Sequence, residues 1–317
     1  MNRIKTAVIG VGYLGKYHVE KYATLPQSQL IAICDIDSEN TQELSEKYAI
    51  KVTNEYRSLA NEIDAVSIAT PTTSHFEIAK FFLKNKKHVF IEKPITTTLR
   101  EANALIRLAR KKNVILQVGH IERFNPAFKF INPLVRQSRF IEAQRLTTFK
   151  LRGSDVSVIL DMMIHDIDIV LSLTNSRILD IRATGASVLT PYIDIANARI
   201  EFENGCVASI TASRINTVSE RRLRIFQNDS YMNVDLHRHI CRLHRKRKNE
   251  ESAGIPTIDS EEIHLEKGDA LKEEINAFLN AIIEKTSPPV SGKDGRDALA
   301  VAMQITKIIN KNNAKYK

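Results

Sequence analysis

Residues 5–15 read KTAVIGVGYLG, and this stretch decides the fold. Its first half is a short run rich in Val and Ile, which is typical of a strand buried on both faces of a parallel sheet. A G-x-G-x-x-G turn follows, and a helical pattern then continues through Leu25. Between a strand and a helix, such a turn lets a pyrophosphate approach the backbone, and the helix N-terminus favours its negative charge. The residues predicted to bind the pyrophosphate are Gly10, Gly12, Tyr13, Leu14 and Gly15.

Short apolar runs alternate with helical patterns over the rest of the first 121 residues. Strands are predicted at Lys5–Gly10, Leu30–Asp35, Asp64–Thr70, His88–Glu92 and Val114–Val118. Between them, apolar residues at helical spacing predict the helices Ser74–Asn85 and Leu99–Lys112. This alternation predicts an α/β domain over residues 1–121, with the doubly wound parallel sheet of a Rossmann fold.

After Gly119 the pattern changes to longer strands with few helices between them. The predicted strands are Phe140–Leu151, Ile178–Leu189, Ala196–Glu203 and Val207–Ile215, and the predicted helices are Leu160–Thr174 and Leu271–Lys285. Asn204-Gly205 is a hairpin signal between two of these strands. We therefore expect a C-terminal α+β domain over residues 122–295, with an open and largely antiparallel sheet.

Two segments near the C-terminus carry predictions of their own. Lys248–Ser260 is polar and contains Gly and Pro, which indicates a mobile loop. A helix is predicted over residues 296–312, and we expect it to pack back on the first domain.

Composition favours a soluble cytoplasmic protein. Of 317 residues, 43% are hydrophobic and 26% charged. No apolar stretch reaches the roughly 18 residues of a membrane span, and the N-terminus lacks the features of a signal peptide. The three scattered cysteines fit a reducing compartment. The net charge of +9 is concentrated between Arg221 and Lys248, where a strand or hairpin with a solvated basic face is favoured over a nucleic-acid site because aromatic residues are few.

The end of the second strand predicts which dinucleotide binds. Asp35 lies twenty residues after the last glycine of the turn. A carboxylate there accepts hydrogen bonds from a ribose and repels a 2′-phosphate, so NAD is expected and NADP is disfavoured. Asp37 is the alternative if the strand ends later. The loop after the third predicted strand lies at the carboxyl edge of the sheet, and we expect Thr70, Pro71 and His75 there to contact the cofactor.

Two further motifs carry candidate chemical groups. Glu92-Lys93-Pro94 ends the strand His88–Glu92, which directs Lys93 toward the crevice expected to hold the nicotinamide. Asp161 and His165 are four residues apart on a predicted helix, so both lie on one face. A histidine paired with a carboxylate is a good proton acceptor near neutral pH. Taken alone, however, each motif also fits a snorkelling lysine or a buried structural histidine.

Taken together and in order, these motifs resemble the glucose-fructose oxidoreductase/inositol dehydrogenase family. The resemblance rests on the glycine turn with His18 in the following helix, the Ala69-Thr70-Pro71 loop, Glu92-Lys93-Pro94 and Asp161-x-x-x-His165. It implies a Rossmann domain, an α/β domain with an open sheet that often makes homodimers or homotetramers, and NAD(P)-linked oxidation of a sugar or cyclitol carbon.

The resemblance also implies the roles of individual residues. Lys93, Asp161 and His165 would form the catalytic set and contact the substrate, and Glu92 and Lys93 would border the cofactor. His165 would take the hydroxyl proton while Lys93 holds the reacting oxygen. One departure affects the helix entry: many members have a glycine pair shortly before the Asp, whereas this chain has only Gly153.

The substrate is expected to be a sugar or a nucleotide sugar. Arg123 and Asn125 are candidate ligands for substrate oxygens, or ties between the domains. The run from Leu151 to Asp168 resembles the subgroup that oxidises UDP-N-acetylglucosamine at carbon 3. A dehydrogenase of a free cyclitol or monosaccharide and a catalytically silent NAD-binding regulator are the alternatives, and the presence of all three catalytic residues argues against the regulator.

A possible metal cluster is not favoured. His237, His239, Cys241 and His244 lie close together in the sequence and could share a strand face. Arg238, Arg242, Arg245 and Lys246 surround them with positive charge, so no metal is expected.

Overall fold

The computed structural model of the chain describes residues 3–151, 153–252 and 255–315. These residues form two compact units. The first contains the chain through Ile121 together with Asp269–Asp297, and the second contains Glu122–Gly268 together with the chain from Ala298 onward.

The first unit contains a six-stranded parallel sheet in the order β3-β2-β1-β4-β5-β6. Its strands are β1 (Ile4–Ile9), β2 (Ser28–Cys34), β3 (Lys51–Thr53), β4 (Ala65–Ile68), β5 (His88–Glu92) and β6 (Leu116–Gly119). Its first four helices are α1 (Tyr13–Thr24), α2 (Ser38–Tyr48), α3 (Thr72–Lys84) and α4 (Leu99–Lys112), with a 3-10 turn at Tyr56–Asn61. The predicted doubly wound sheet is confirmed, and its strand order reverses beside β1, where such sheets bind ligands.

The second unit contains an eight-stranded sheet in the order β14-β13-β12-β11-β7-β10-β9-β8. Neighbouring strands are antiparallel except for β7 and β10, which are parallel. The first elements are a 3-10 turn at Ile121–Phe124, α5 (Pro126–Ile131), a 3-10 turn at Asn132–Leu134, β7 (Phe140–Leu146), a π-helical turn at Ile159–Met163 and α6 (Ile164–Thr174). The remaining strands are β8 (Ile178–Ala186), β9 (Ile195–Phe202), β10 (Val207–Ser213), β11 (Glu220–Phe226), β12 (Ser230–Asp235), β13 (Ile240–Ser252) and β14 (Ile255–His264).

Two predictions about this sheet have different outcomes. The hairpin at Asn204-Gly205 is confirmed, because β9 and β10 pair across it and Gly205 has a φ of +80°. The prediction of a mobile loop over Lys248–Ser260 is wrong for the described residues, since β13 continues to Ser252 and β14 begins at Ile255. Residues 253 and 254 lie outside the described residues. The pairing of β13 with β14 supplies backbone partners that the polar composition did not reveal.

The two last helices belong to different units from the ones predicted for them. Helix α7 (Ala270–Glu284), expected in the second domain, places Ile275, Phe278 and Leu279 in the core of the first unit. Helix α8 (Gly292–Asn313) was expected to pack on the first domain. Its residues from Ala298 onward instead belong to the second unit, where Ile305 and Ile309 lie in the core. The apolar spacing predicted both helices but not their partners.

Among the described residues, no helix combines the length and the apolar character needed to cross a membrane. All three cysteines are free thiols and are buried. Burial raises the pKa of the Cys34 thiol to about 12.

Candidate active site

The glycine turn after β1 is held tightly at its first and third glycines. Gly10 has a φ of +83°, and a Cβ atom there would lie 2.8 Å from the backbone nitrogen of Thr70. A Cβ atom on Gly15 would lie 1.8 Å from the carbonyl oxygen of Gly10. Only glycine fits at both positions, because the turn, the start of α1 and the loop after β4 approach one another without room for a side chain.

The second glycine of the turn borders open space. Gly12 is the N-cap of α1, and a Cβ atom there would meet no other atom within 4 Å. Tyr13, the first residue of the helix, is 61% exposed. The open side of Gly12 leaves room for the pyrophosphate of a dinucleotide at the N-terminus of α1, where the helix dipole favours negative charge. The cradle fits such a cofactor.

Asp35 connects the end of β2 to the glycine turn. Its Oδ2 accepts the N–H of Val11 at 2.7 Å, and its Oδ1 accepts the N–H of Asp37 at 3.0 Å. Asp37 itself caps α2 by accepting the N–H of Glu39. Asp35 thus places a half-buried carboxylate next to the dinucleotide turn, whereas Asp37 is engaged at a helix end.

His75 joins the loops after β4 and β5. Its Nδ1 lies 3.0 Å from the carbonyl oxygen of Pro94 and its Nε2 lies 2.9 Å from that of Thr70. Burial lowers the pKa of His75, and a neutral imidazole has one N–H, which it can donate to one of the two carbonyls at a time. With 1% of its surface exposed, His75 braces the loops and offers no surface for the predicted cofactor contact. Pro71 begins α3 as its N-cap.

Glu92 is also engaged within the protein. Its Oε1 lies 2.9 Å from Nε2 of His18, and its Oε2 accepts the backbone N–H of Lys93 at 3.2 Å. Burial opposes ionisation of Glu92, but the hydrogen bond from His18, together with the charge and the backbone N–H of Lys93, outweighs it and lowers the pKa of this carboxyl. Glu92 therefore supports the lysine that follows it, and its contact with the cofactor stays a prediction. Lys93 lies half-buried at the end of β5, and the Lys93–Pro94 peptide bond is cis.

In the second unit, Asp161 lies in the π-helical turn that precedes α6 and His165 lies in the first turn of α6. The N–H of Ile164 bonds to the carbonyl of Ile159, five residues earlier, which is the hydrogen bond of a π turn. Such turns are rare and occur frequently at functional sites. The predicted helix is therefore confirmed from Ile164 onward, but it is preceded by a wider π-helical turn that contains Asp161.

The loop before this turn is fixed by a buried arginine. Arg214 donates from Nη1 to the carbonyl of Gly153 and from Nη2 to that of Val156. Gly153 has a φ of +77°, and a Cβ atom there would lie 2.8 Å from Oδ2 of Asp161. Gly153 thus lets the backbone lie directly against the Asp161 carboxylate.

Arg123 and Asn125 have partners within the second unit. Arg123 makes a bidentate pair with Asp168, with Nε to Oδ2 at 2.6 Å and Nη2 to Oδ1 at 3.0 Å. Asn125 caps α5 by accepting the N–H of Ala127, and its amide donates to the carbonyl of Leu236 and to Glu122. Asn125 is 7% exposed and has a structural role at the start of α5, and its expected contact with substrate stays a prediction.

A buried charged cluster that the sequence motifs do not indicate lies in the second unit. Arg145 donates to Asp166 through two hydrogen bonds of 2.8 Å and to Oε1 of Glu122 at 2.7 Å. Burial raises the pKa of Glu122, but Arg145 and Arg221 outweigh burial and lower it. Strand alternation could have indicated Arg145, because it shares the inward face of β7 with two apolar residues and a buried charge needs partners.

In the histidine-rich segment 237–244, Cys241 and His244 contact different neighbours. Cys241 is buried in β13, and its thiol lies 3.8 Å from the carbonyl oxygen of Ala127. His244 stacks on Tyr231 with ring centroids 5.5 Å apart and bonds to Ser260. Across the described parts of the chain, no group of three or more His, Cys, Asp or Glu residues is arranged to hold a metal ion.

The sheet order, the glycine cradle and the adjoining Asp35 define the class of protein: one with a dinucleotide-binding Rossmann domain. Residues 4–120 match the family described as oxidoreductase family, NAD-binding Rossmann fold, and residues 135–229 match the GFO/IDH/MocA C-terminal domain. The chain belongs to the GFO/IDH/MocA family.

Full-length relatives agree with this membership. The chain is 39% identical to UDP-N-acetylglucosamine 3-dehydrogenase of Acidithiobacillus ferrooxidans over 306 residues, covering 96% of this chain and 97% of the relative. A crystal form of that enzyme matches with a TM-score of 0.92 at 38% identity, covering 98% of each chain. Myo-inositol 2-dehydrogenase of Thermotoga maritima is 25% identical over 98% of both chains.

Proposed function

We propose that this protein oxidises the carbon-3 hydroxyl of UDP-N-acetylglucosamine with NAD as the hydride acceptor. The observation that carries the proposal is the 39% identity with the 3-dehydrogenase of Acidithiobacillus ferrooxidans, which extends over 96% of the chain and therefore covers both units. We further propose that the enzyme acts in the cytoplasm as a homodimer or homotetramer.

The cofactor is assigned to the cradle of the first unit. The open side of Gly12 and the N-terminus of α1 would hold the pyrophosphate, with Tyr13 and Leu14 beside it. Thr70 and Pro71 border the same turn. Asp35 supports the choice of NAD, because a carboxylate next to the ribose disfavours the phosphate of NADP by charge repulsion. When bound, NAD supplies the acceptor for the hydride that leaves the sugar carbon.

The catalytic residues act on the hydroxyl and its proton. Lys93 holds the reacting oxygen by donating a hydrogen bond from its ammonium group. His165 accepts the hydroxyl proton as the carbon–oxygen double bond forms and carbon 3 gives up its hydrogen with both bonding electrons. Asp161 stabilises the positive charge that His165 gains. The products are a 3-keto nucleotide sugar, reduced NAD and one proton held by the enzyme.

The second unit supports this assignment in two ways. The π turn at Asp161 and the contact of its carboxylate with Gly153 fix one partner of the predicted acid–base pair. The pair Arg123–Asp168 leaves the arginine side chain 16% exposed, which is enough for an edge of the guanidinium to meet a substrate oxygen.

A free cyclitol is the second candidate substrate. It is favoured by the full-length similarity to myo-inositol 2-dehydrogenase of Thermotoga maritima at 25% identity. The chemistry at the reacting carbon would be the same, so only the substrate separates the two candidates.

Isotope transfer tests both the substrate and the carbon that reacts. Purified protein is incubated with NAD and UDP-N-acetylglucosamine carrying deuterium at carbon 3, with hydroxylamine added to trap the keto product. We expect reduced NAD that is one mass unit heavier, and unlabelled reduced NAD when deuterium is placed at carbon 4. Transfer from carbon 4, or reduction of NAD by myo-inositol alone, would refute the proposal.

A further inference from the structure

Behind Lys93 lies a chain of buried polar side chains that the proposed chemistry does not use directly. Ser67 in β4, His18 in α1 and Glu92 in β5 come from three different elements and are all buried. Nδ1 of His18 lies 2.7 Å from the hydroxyl of Ser67, and its Nε2 lies 2.9 Å from Oε1 of Glu92. The other carboxylate oxygen accepts the N–H of Lys93 at 3.2 Å.

The hydrogen bonds of this chain have one consistent direction. An ionised carboxylate only accepts, so Nε2 of His18 carries a proton and donates it to Glu92. Nδ1 can then accept the hydroxyl hydrogen of Ser67. The network assigns this tautomer, and in it every donor points toward Glu92.

The surroundings hold Glu92 in place. A Cβ atom on Gly119 of β6 would lie 2.9 Å from the carboxyl carbon of Glu92, so this carboxylate occupies the space that a side chain would fill. The ring of His18 meets that of Phe90 edge to face at 5.3 Å. A buried carboxylate that loses one of its two fixed partners is strongly disfavoured, so the arrangement persists only as a unit.

We propose that His18 and Glu92 are positioning residues for Lys93: the buried pair fixes the backbone of Lys93 through its N–H and thereby sets the direction of its side chain. The proposal rests on the proposed function, because it takes Lys93 as the group that holds the reacting oxygen. A misplacement of a catalytic group by about 1 Å can cost on the order of a hundredfold in rate, which makes a fixed backbone at this position valuable.

Four variants separate positioning from simple stabilisation. Glu92→Gln keeps the shape and removes the charge, His18→Leu removes the ring donor, and Ser67→Ala removes only the hydroxyl that orients the ring. His18→Gln restores an N–H donor. We expect kcat to fall roughly tenfold in the first two, less in Ser67→Ala, and to recover in His18→Gln, with the Kd for NAD unchanged.

A matched control lies at the other end of the same strand. Nδ1 of His88 accepts the N–H of Ile115 at 3.0 Å, and His88 stands four residues, or about 13 Å, from Glu92. His88→Leu removes a histidine hydrogen bond from β5 without touching the chain behind Lys93, so kcat should stay within about twofold of the native value.

A readout that needs no sugar substrate completes the test. Lysines are labelled by reductive ¹³C-methylation, and the Lys93 resonance is assigned by its absence from Lys93→Arg. In Glu92→Gln and Ser67→Ala we expect this resonance to move more than that of any other lysine, and in His88→Leu to stay in place. An unmoved Lys93 resonance, or an unchanged kcat in Glu92→Gln, overturns the positioning role. Because the resonance is observed without substrate, a wrong sugar assignment leaves this test intact.

Discussion

Gly153 and Asp161 are in direct contact: a Cβ atom on Gly153 would lie 2.8 Å from Oδ2 of Asp161. Gly153→Ala therefore has two effects. The φ of +77° strains any other residue by about 1–2 kcal/mol, and the new methyl group displaces the carboxylate. We expect turnover to fall at least about tenfold while NAD binds as before, since the cradle lies in the first unit. Steady-state kinetics and a titration with NAD measure the two quantities.

Gly205→Ala is the matched control for that prediction. Gly205 has a φ of +80°, but the nearest atom to a Cβ there is Nη1 of Arg139 at 3.6 Å. Both variants should lose similar free energy of unfolding, and only Gly153→Ala should lose turnover. Equal turnover in the two variants would show that the contact with Asp161 has no catalytic consequence.

Replacement by alanine should affect NAD binding at Gly12 and the stability of the fold at Gly15. Gly12→Ala adds a methyl group to open space, so the melting temperature should stay unchanged while the Kd for NAD rises by roughly tenfold, or ~1.4 kcal/mol. Gly15→Ala places its Cβ 1.8 Å from the carbonyl oxygen of Gly10 and should destabilise the fold. Thermal unfolding and calorimetric titration separate the outcomes. Native NAD affinity in Gly12→Ala would place the pyrophosphate elsewhere.

Asp35 should determine the choice between NAD and NADP. Asp35→Ala removes the carboxylate that repels a 2′-phosphate and that accepts the N–H of Val11. We expect weaker NAD binding and a smaller preference over NADP. Asp37→Ala, which removes the cap of α2, should cost about 1 kcal/mol of stability and leave the preference as it is. An unchanged preference in Asp35→Ala would move the ribose contact to another residue.

His75 should make the fold sensitive to acid. Burial lowers the pKa of its imidazole below the unfolded value of about 6.5, so the unfolded state binds the proton more readily. This contribution to stability is complete above about pH 6.5 and is lost as the pH falls toward the folded pKa. Urea unfolding between about pH 7.5 and pH 5 should show a shallower loss of stability in His75→Gln than in the native protein. Parallel slopes would contradict this assignment.

The first unit was predictable because its signals are local. The glycine turn, the apolar strands and Asp35 lie within one βαβ segment, and each residue's surroundings follow from the fold that the segment specifies. The short strand Lys51–Thr53 was missed because its residues are exposed or half-buried and carry no apolar run. The buried role of Glu92 was also missed, since His18 lies 74 positions away in the sequence.

In the second unit, counting charges along the basic segment does not show how those charges are paired. Between Arg221 and Lys248 the sequence shows a large excess of positive charge, but the acidic partners come from β7, from β14 and from the 3-10 turn at Ile121–Phe124. The pairs are Arg221–Glu122, Arg224–Glu142, Arg242–Glu262 and Arg247–Asp259. The predicted strand or hairpin is confirmed, because β11, β12 and β13 pair antiparallel in this segment. The neutralisation of its basic face depends on strand register, which the sequence pattern does not specify.

The most direct test of the account is NADH formation at 340 nm by the native protein, Lys93→Ala and His165→Ala with UDP-N-acetylglucosamine, a keto trap and, in parallel, free inositols and hexoses. We predict that NADH forms only when the native protein is given the nucleotide sugar. Both variants should bind NAD without turnover. Near-native turnover in either variant would contradict the catalytic assignment. Signal with a free polyol and none with the nucleotide sugar would contradict the proposed substrate.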